Sequence, residues 1–349
     1  GNRFEHSQRG SVYLRRRLGF LLIFALILGA AIPAALRLLN PGFSAGLEQL
    51  PFWAAGVPFL GYLLIYGIDA VRLRLVLRPL GVLLKPRDCL INSVLGIFYS
   101  GITPMAAGGQ PFQIWHLVRR GVPSPLAGAV ILVRFAEYML LSLLLSLLGA
   151  LLYLPHLLEL AGAIPYGLAG LAAGLLIYLT ATLLVLASVC FPQRVAGSLL
   201  RRTSGPSQQK KSKGWRAKVL ELCRSLITLR QHAVPQLWLD FLLGGVNLLL
   251  QAASLYFLLN QIANIDFSAV LCGFVLLNSV VYFIPTPGGS GGIEGSYALF
   301  FSTLAAADVS AAVIVWRLGS YYLHLGLQIL VLIVHARRKN AHSFADIVL

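Results

Sequence analysis

Charge is scarce in this chain: of 349 residues only 11% are Asp, Glu, Lys or Arg, and twelve acidic residues face 28 basic ones. Soluble domains carry about a quarter of their residues charged, so an ordinary water-facing surface is excluded. Cysteine is equally sparse. Cys89, Cys190, Cys223 and Cys272 show no paired or metal-like spacing, and the seven histidines are scattered, which excludes a disulfide framework, a zinc site and a haem motif. The chain also lacks a Gly-x-x-x-x-Gly-Lys-Ser/Thr loop, a nucleophile elbow and a zinc-protease motif, so it does not hydrolyse ATP by that route. The expectation is a protein that is not an enzyme and uses no cofactor and no metal.

What is present is hydrocarbon. Hydrophobic residues make up 58% of the chain and gather into runs of about 20 or more, the signature of a polytopic, all-α membrane protein. Full spans are expected near residues 19–36, 52–71, 126–152, 166–190, 236–259 and 309–334, the first retained rather than cleaved. On this layout one side of the membrane carries Arg15 to Arg17, Arg72 to Arg87, Arg119, Arg120, the stretch Arg194 to Arg230, and Arg337 to Lys339; the other carries only Arg37. Basic loops stay cytoplasmic, so both termini are expected in the cytoplasm of a multi-pass protein of the cell membrane. The net charge of +16 is thereby explained as orientation signals touching anionic lipid, and a nucleic-acid partner is excluded. The expected division is a cytoplasmic N-terminus (1–18), a first membrane half (19–190), a basic linker (191–235), a second half (236–336) and a cytoplasmic tail (337–349). Within the linker, 203–214 reads as a polar disordered stretch and 215–232 as an amphipathic helix lying on the inner surface.

The chain nearly repeats itself 183 residues apart without a gap. Cys89, Tyr99, Thr103, Pro104, Gly108, Gly109, Ala129, Val130, Ile131, Arg134 and Tyr138 recur as Cys272, Tyr282, Thr286, Pro287, Gly291, Gly292, Ala312, Val313, Ile314, Arg317 and Tyr321. Shared apolar composition would match Leu on Leu, whereas these matches fall mostly on residues that set backbone shape and charge. Residues 88–118 are apolar yet bounded by Lys85 and Arg87 on one side and Arg119 and Arg120 on the other. Asp88 to Thr103 makes about 22 Å of helix, too short for a core of about 30 Å, and the Thr-Pro-Met-Ala-Ala-Gly-Gly segment then breaks it. The segment is expected to enter and return as a re-entrant hairpin. Residues 267–305, between Asp266 and Asp308 in a region without Lys or Arg, are expected to do so from the opposite face. Each repeat (52–152 and 236–334) thus reads span, hairpin, span with inverted topology, and 19–36 and 166–190 are two extra spans.

Backbone freed by Pro and Gly is tolerated in a membrane only inside protein or beside a polar cavity, and inverted repeats with broken helices mark midplane binding sites. The tip residues Thr103, Gly108, Gly109 and Gln110, with Thr286, Gly288, Gly289, Gly291 and Gly292, are therefore substrate-binding candidates. Their glycines either bring backbone amides to a ligand or only permit close helix crossing. Arg134 and Arg317 each lie eight residues inside a span, about 12 Å deep, and each is followed one turn later by Tyr138 or Tyr321. Together they read as an anion clamp, or else Arg134 pairs with Glu137, and Arg317 with Glu294 or a hairpin carbonyl. Glu294 reads three ways: attracting a cationic head group, titrating as a coupling site, or neutralising Arg317. Asp69 and Asp240 are expected to be solvated near span ends, His116 and His324 to be satisfied core histidines, and Trp53, Trp115, Trp238 and Trp316 to be interfacial or packing residues.

The residues 104–110, the Arg134 helix and above all Pro285-Thr-Pro-Gly-Gly-Ser-Gly-Gly-Ile-Glu294 resemble the membrane domain of the lysylphosphatidylglycerol synthase/flippase family, over about residues 10–338. Members of that family typically carry Gly-Gly-Glu at the first tip, where this chain has Gln110. The resemblance implies lipid translocation, and the chain's lack of the aminoacyltransferase domain of bifunctional members implies translocation without lipid synthesis. The expected activity is that of a flippase or scramblase for a phosphate-bearing lipid: an aminoacyl phospholipid, another phospholipid or a polyprenyl-phosphate carrier. Membrane lipids, anionic or aminoacylated, are the expected partners; a second copy and a lipid-synthesising enzyme stay open. The alternatives are an ion-coupled transporter of a small anion and a non-transporting scaffold for a lipid-modifying enzyme.

Overall fold

The computed structural model describes residues 42–162, 167–194, 196–197, 209–281 and 286–338, so the expected span at 19–36, Tyr282 and Pro285 lie outside the described residues. The described chain is helical throughout: α1 Gly42–Gln49, α2 Gly56–Leu77, α3 Pro86–Ile102, α4 Gly109–Arg119, α5 Ser124–Leu152, α6 Leu154–Gly162, α7 Gly167–Cys190, α8 Gln209–His232, α9 Val234–Leu259, α10 Phe267–Val281, α11 Gly292–Ala305, α12 Ser310–Arg317, a π-helical turn Leu318–Tyr322, and α13 Leu323–Arg338. Proline starts α3, and sits in the first turn of α5 and α9, where its missing N–H and fixed φ fit an N-terminus. Ser124–Leu152, Ala172–Cys190 and Val234–Leu259 are long and apolar enough to cross a bilayer. Leu144, Leu148, Leu176, Leu184, Leu242 and Leu249 of these helices stand exposed, as lipid-facing side chains do. This is a polytopic membrane protein.

The helix boundaries shift the expected layout at α2, which runs from Gly56 to Leu77 rather than over 52–71 and so takes Arg72 into the helix, and in two further places. The expected span at 309–334 is not one continuous α-helix but α12 and α13 joined by the π turn directly after Arg317. An inserted residue of this kind rotates everything that follows by most of one residue's angular step. In the linker, α8 begins at Gln209, within the stretch read as disordered; residues 203–208 lie outside the described residues. Farther on, α8 is two-faced. Leu226 and Leu229 are buried against α5 and Cys223 donates to the Pro192 carbonyl, while Lys218, Arg224 and Arg230 stay exposed. Arg230 donates to the Cys190 carbonyl at 2.7 Å, which ties α8 to the C-terminus of α7, where a cation complements the helix dipole.

Packing follows the sequence repeat. The first helices of the two repeats, α2 and α9, lie against each other; α3 packs on α4, as α10 packs on α11; and each hairpin's first helix crosses over to the other repeat, α3 onto α13 and α10 onto α5. Small residues admit the closest crossing: a methyl on Gly149 of α5 would fall 2.8 Å from Cβ of Cys272 in α10. The buried aromatic centre of the second repeat consists of Phe274, Tyr297, Phe300, Phe301 and Trp316, with Tyr297 and Trp316 stacked at 5.7 Å and 10°. A separate cluster joins Ile91, Leu95, Phe98, Tyr99 and Ile102 of α3 to Tyr321, Leu325 and Leu332.

The segments that break the two hairpins meet. Pro104 and Pro287 form a single antiparallel bridge. The tips share one unusual backbone path: Met105 and Ala106 adopt φ of 55° and 54°, and their repeat mates Gly288 and Gly289 adopt 59° and 66°. Glycine takes this left-handed region freely, whereas another residue is disfavoured there by about 1–2 kcal/mol. Ala106→Gly should therefore stabilise the protein by about 0.5–1 kcal/mol, the relief being partly offset by the freer unfolded chain. Gly288→Ala should destabilise it by more, because the added methyl would also strike the Tyr321 ring. Thermal unfolding in detergent measures both, and a lower transition for Ala106→Gly would contradict the strained path.

Candidate functional site

Two clusters of buried charge are built on the repeated arginines. At the first, Arg134 of α5 donates from Nη2 to Asp69 Oδ1 at 2.6 Å and to the Asp69 carbonyl at 3.3 Å, and its Nε lies 3.5 Å from Asp240 Oδ2. Arg72 of α2 binds the same acids, through Nε to Asp240 Oδ1 at 2.8 Å, Nη2 to Asp240 Oδ2 at 3.3 Å and Nη1 to Asp69 Oδ1 at 3.3 Å. Glu137, one turn beyond Arg134, sits 3.8 Å from Arg72. Two guanidinium groups and three carboxylates from α2, α5 and α9 thus converge. Asp240 is wholly buried, and the Asp69 side chain is 19% exposed, so the expectation that both are solvated is corrected. Burial is sustainable because each acid faces an arginine; an unpaired buried charge would be strongly unfavourable.

At the second cluster, Arg317 donates from Nε to Glu294 Oε1 at 3.0 Å and from Nη2 to the Gly288 carbonyl of the tip. Its guanidinium also lies over the Tyr321 ring, 4.1 Å from the centroid. Glu294, fully buried, accepts from Tyr322 Oη at 3.1 Å and from the Gly291 N–H at 2.8 Å, closing the N-terminus of α11 as a capping box does. Tyr321 then reaches across the repeats to donate to the Gly101 carbonyl at 2.8 Å. Of the three readings of Glu294, the geometry realises neutralisation of Arg317. Both partners weighed for Arg317, a hairpin carbonyl and Glu294, are engaged at once.

The first tip is tied differently. Thr103 donates to the Tyr99 carbonyl at 2.5 Å and accepts the Gly108 N–H at 2.9 Å, while Thr286 Oγ1, its repeat mate, has no hydrogen-bond partner among the described residues. Gly109 packs so closely on α3 that a methyl there would strike Ser100 and, at 2.7 Å, the Gly96 carbonyl. Gln110 is half-buried in the first turn of α4, Gly289 is buried, and Gly292 opens α11. Tyr138 is 36% exposed, whereas Tyr321 is buried. Arg134 and Arg317 are thus held in two clusters with different partners rather than around one common ligand.

The sequence reading missed Asp69, Arg72 and Asp240. Their signal was available: Asp69 and Arg72 stand three apart on one helix face, and Asp240 interrupts an apolar run. The histidine and tryptophan readings hold. His324 Nε2 donates to the Phe59 carbonyl at 3.0 Å, so its Nδ1 accepts from Tyr66 Oη at 3.0 Å, which in turn accepts from Gln328 at 2.7 Å. His116 bonds Asn92 and Arg120, Trp316 is buried, and Trp53 and Trp238 are half or more exposed.

A family model described as the lysylphosphatidylglycerol synthase TM region matches residues 12–327. The chain belongs to this family. Comparison with curated proteins finds no match. The region shared with the lysylphosphatidylglycerol synthase TM family takes in both tips, both clusters and every candidate residue named above. Removing one partner of a buried ion pair leaves an uncompensated charge and destabilises by about 3–5 kcal/mol. Arg317→Gln is accordingly expected to lower the thermal transition in detergent steeply, and adding Glu294→Gln to recover much of the loss. A single variant as stable as wild type would show that the pair contributes nothing.

Proposed function

We propose that this member of the lysylphosphatidylglycerol synthase TM family translocates a phosphate-bearing lipid between the leaflets of the cell membrane, as a flippase or scramblase. The observation that carries the reading is the meeting of the two tips at Pro104 and Pro287, with a buried arginine cluster in each repeat. Irregular backbone is tolerated at membrane depth only within protein or beside a polar path, so two abutting breaks form the thinnest barrier such a fold can make. In this reading the repeats have inverted topology, both hairpins are re-entrant, and both termini are cytoplasmic. The head group passes between the tips with its phosphate exchanging onto Arg134 and Arg317, whose present acid partners hold the closed state. Aminoacyl phospholipid, phospholipid and polyprenyl-phosphate lipids all carry the phosphate this chemistry needs. Anionic or aminoacylated membrane lipids are the partners this reading calls for.

The tight pairing of both arginines also fits a non-transporting scaffold for a lipid-modifying enzyme. Against that reading stand two hydroxyl groups that are buried without a hydrogen-bond partner among the described residues, Thr286 Oγ1 and Ser320 Oγ. Each disfavours a permanently dry core by about 1–3 kcal/mol, and they belong to the second tip and the π turn. A static scaffold has no use for them; a path for a polar head group does.

Two measurements test the proposal. Single cysteines at Lys85 and Arg119 in a cysteine-free background should be labelled from one side of the membrane, and those at Asn264 and Asp308 from the other. Opposite-side labelling within either pair would remove the inverted hairpins. Cysteines replacing Pro104 and Pro287 should cross-link and halt movement of labelled phosphatidylglycerol in proteoliposomes, with reductant restoring it. Unimpaired movement in the cross-linked protein would place the path elsewhere.

A further inference from the structure

We propose that Glu137 and Asp240 bind one exchangeable proton between them, and that this proton is the ion whose movement drives the lipid. The coupling half rests on the translocation reading above; the proton site rests on the geometry of the first cluster. With every group ionised, Arg72 and Arg134 bring two positive charges to Asp69, Glu137 and Asp240, leaving one negative charge uncompensated in a buried site among the described residues. The Glu137 and Asp240 carboxyl groups face the same Arg72 Nη2, at 3.8 and 3.3 Å, and Glu137 Oε2 has no hydrogen-bond donor among the described residues. Two carboxylates crowded on one guanidinium nitrogen repel each other unless a proton stands between them. One proton supplies the missing donor and cancels the excess charge in the same act.

The seat of the proton follows from the neighbours. Both Asp240 oxygens are engaged, by Arg72 at 2.8 and 3.3 Å and by Arg134 at 3.5 Å, whereas Glu137 has only Arg72 at 3.8 Å. The proton therefore rides on Glu137 and points at Asp240. The charges facing Glu137 come from α2 (Arg72, with Asp69 behind it), from its own helix (Arg134) and from α9 (Asp240). α7 and α10, packed on the same span, contain no Asp, Glu, Lys or Arg; their titratable groups are Tyr178, Cys190 and Cys272. α8 turns Cys223 inward and Lys218, Glu221 and Arg224 outward, while its Arg216 is half-buried with a buried Nε. From α4, which also contacts α5, the titratable residues are His116 and Arg119, and His116 is held by Asn92 and Arg120.

The site also has the placement a coupling ion needs. Glu137 belongs to the first repeat and Asp240 to the second, so the proton joins the two halves, and its loss sets two carboxylates of α5 and α9 against each other. The second cluster cannot do this. It holds Arg317 and Glu294 in balance, and Ser320 occupies the repeat position of Glu137. The step balances simply: hydronium on one side gives its proton to the Glu137 carboxylate, and the carboxyl returns it to water on the other, with no change of oxidation state.

The test uses trace labelled phosphatidylglycerol in phosphatidylcholine proteoliposomes under a one-unit pH gradient, with the membrane potential clamped. One proton per lipid predicts an imbalance of about tenfold between leaflets at equilibrium for wild type. Glu137→Gln, or Asp240→Asn should the first fail to fold, should give equal distribution. Persistence of the imbalance in a folded variant overturns the assignment. Even distribution by wild type overturns the coupling while leaving translocation intact, as it would if the excess negative charge receives the amine of a cationic head group instead. Independently of transport, difference infrared spectra should show a protonated buried carboxyl in wild type that disappears in Glu137→Gln. If no lipid moves but the band is present, the translocation reading falls and the proton site stands; without the band, the site falls.

Discussion

A guanidinium buried among apolar helices must have a counter-charge, and the arrangement of helices here follows from meeting that demand twice. Arg134 and Arg317 recur in a repeat that kept little beyond backbone-shaping residues, so each copy inherited the same unfavourable burial. The solutions differ. Arg134 draws in Asp69 from α2 and Asp240 from α9, which pins three helices and both repeats to one point. Arg317 uses Glu294, three residues into α11, together with a carbonyl of its own tip and the face of Tyr321. One arginine therefore holds the halves together, and the other holds a hairpin closed.

The tips depend on those anchors. A chain that bends through the left-handed region at Met105 and Ala106 carries local strain, and strain persists only where the surroundings over-determine it. Here the surroundings are the opposite tip, through Pro104 and Pro287, and the Tyr321 hydroxyl on the Gly101 carbonyl. Arg317 bonds the tip at Gly288 and stacks on Tyr321, so the second cluster, the second tip and the end of α3 form one connected unit. Displacing Arg317 would loosen all three together. The π turn that follows Arg317 belongs to the same unit, because it directs Tyr321 toward Gly101 and Tyr322 toward Glu294 from adjacent positions.

The fold was legible in the sequence where a physical signal is local. Helix breaks at Thr-Pro and Gly-Gly, the spans around residues 126–152, 166–190 and 236–259, and the amphipathic face of the linker all appear within a few residues of where they were expected. The repeat placed Pro104 and Pro287 at equivalent positions, but equivalence does not require contact, and only the packing of α3 on α13 and α10 on α5 brings the tips together. The candidate site was half legible. The pairing of Glu294 with Arg317 stood among the alternatives the sequence left open, because the tip and the span are consecutive in the chain. Asp240 was read as solvated because its neighbours in sequence said nothing of Arg72 and Arg134 converging from α2 and α5, and for Asp69 the local signal of Arg72 three residues on was passed over. Pairing across 168 residues is a property of packing, which periodicity does not record.

Divergence between the repeats is what makes the two clusters unequal, and that inequality matters for directed movement. Position by position, the acids have no counterparts: Ser320 stands opposite Glu137, Ala252 opposite Asp69, and Pro111 opposite Glu294. What couples movement of one ligand to another is differential affinity for the two states, and the two clusters differ in the charge they offer. A neutral pair on one repeat and a cluster with surplus negative charge on the other respond to different ligands, the first to an anion that competes for Arg317, the second to a cation that answers the surplus. A ligand shifts an equilibrium only by its differential affinity for the two states, so unequal clusters give an anionic head group and a cation separate handles on one structure. Keeping the arginines while redistributing the acids thus leaves two buried guanidinium groups in the same backbone setting with different counter-charges.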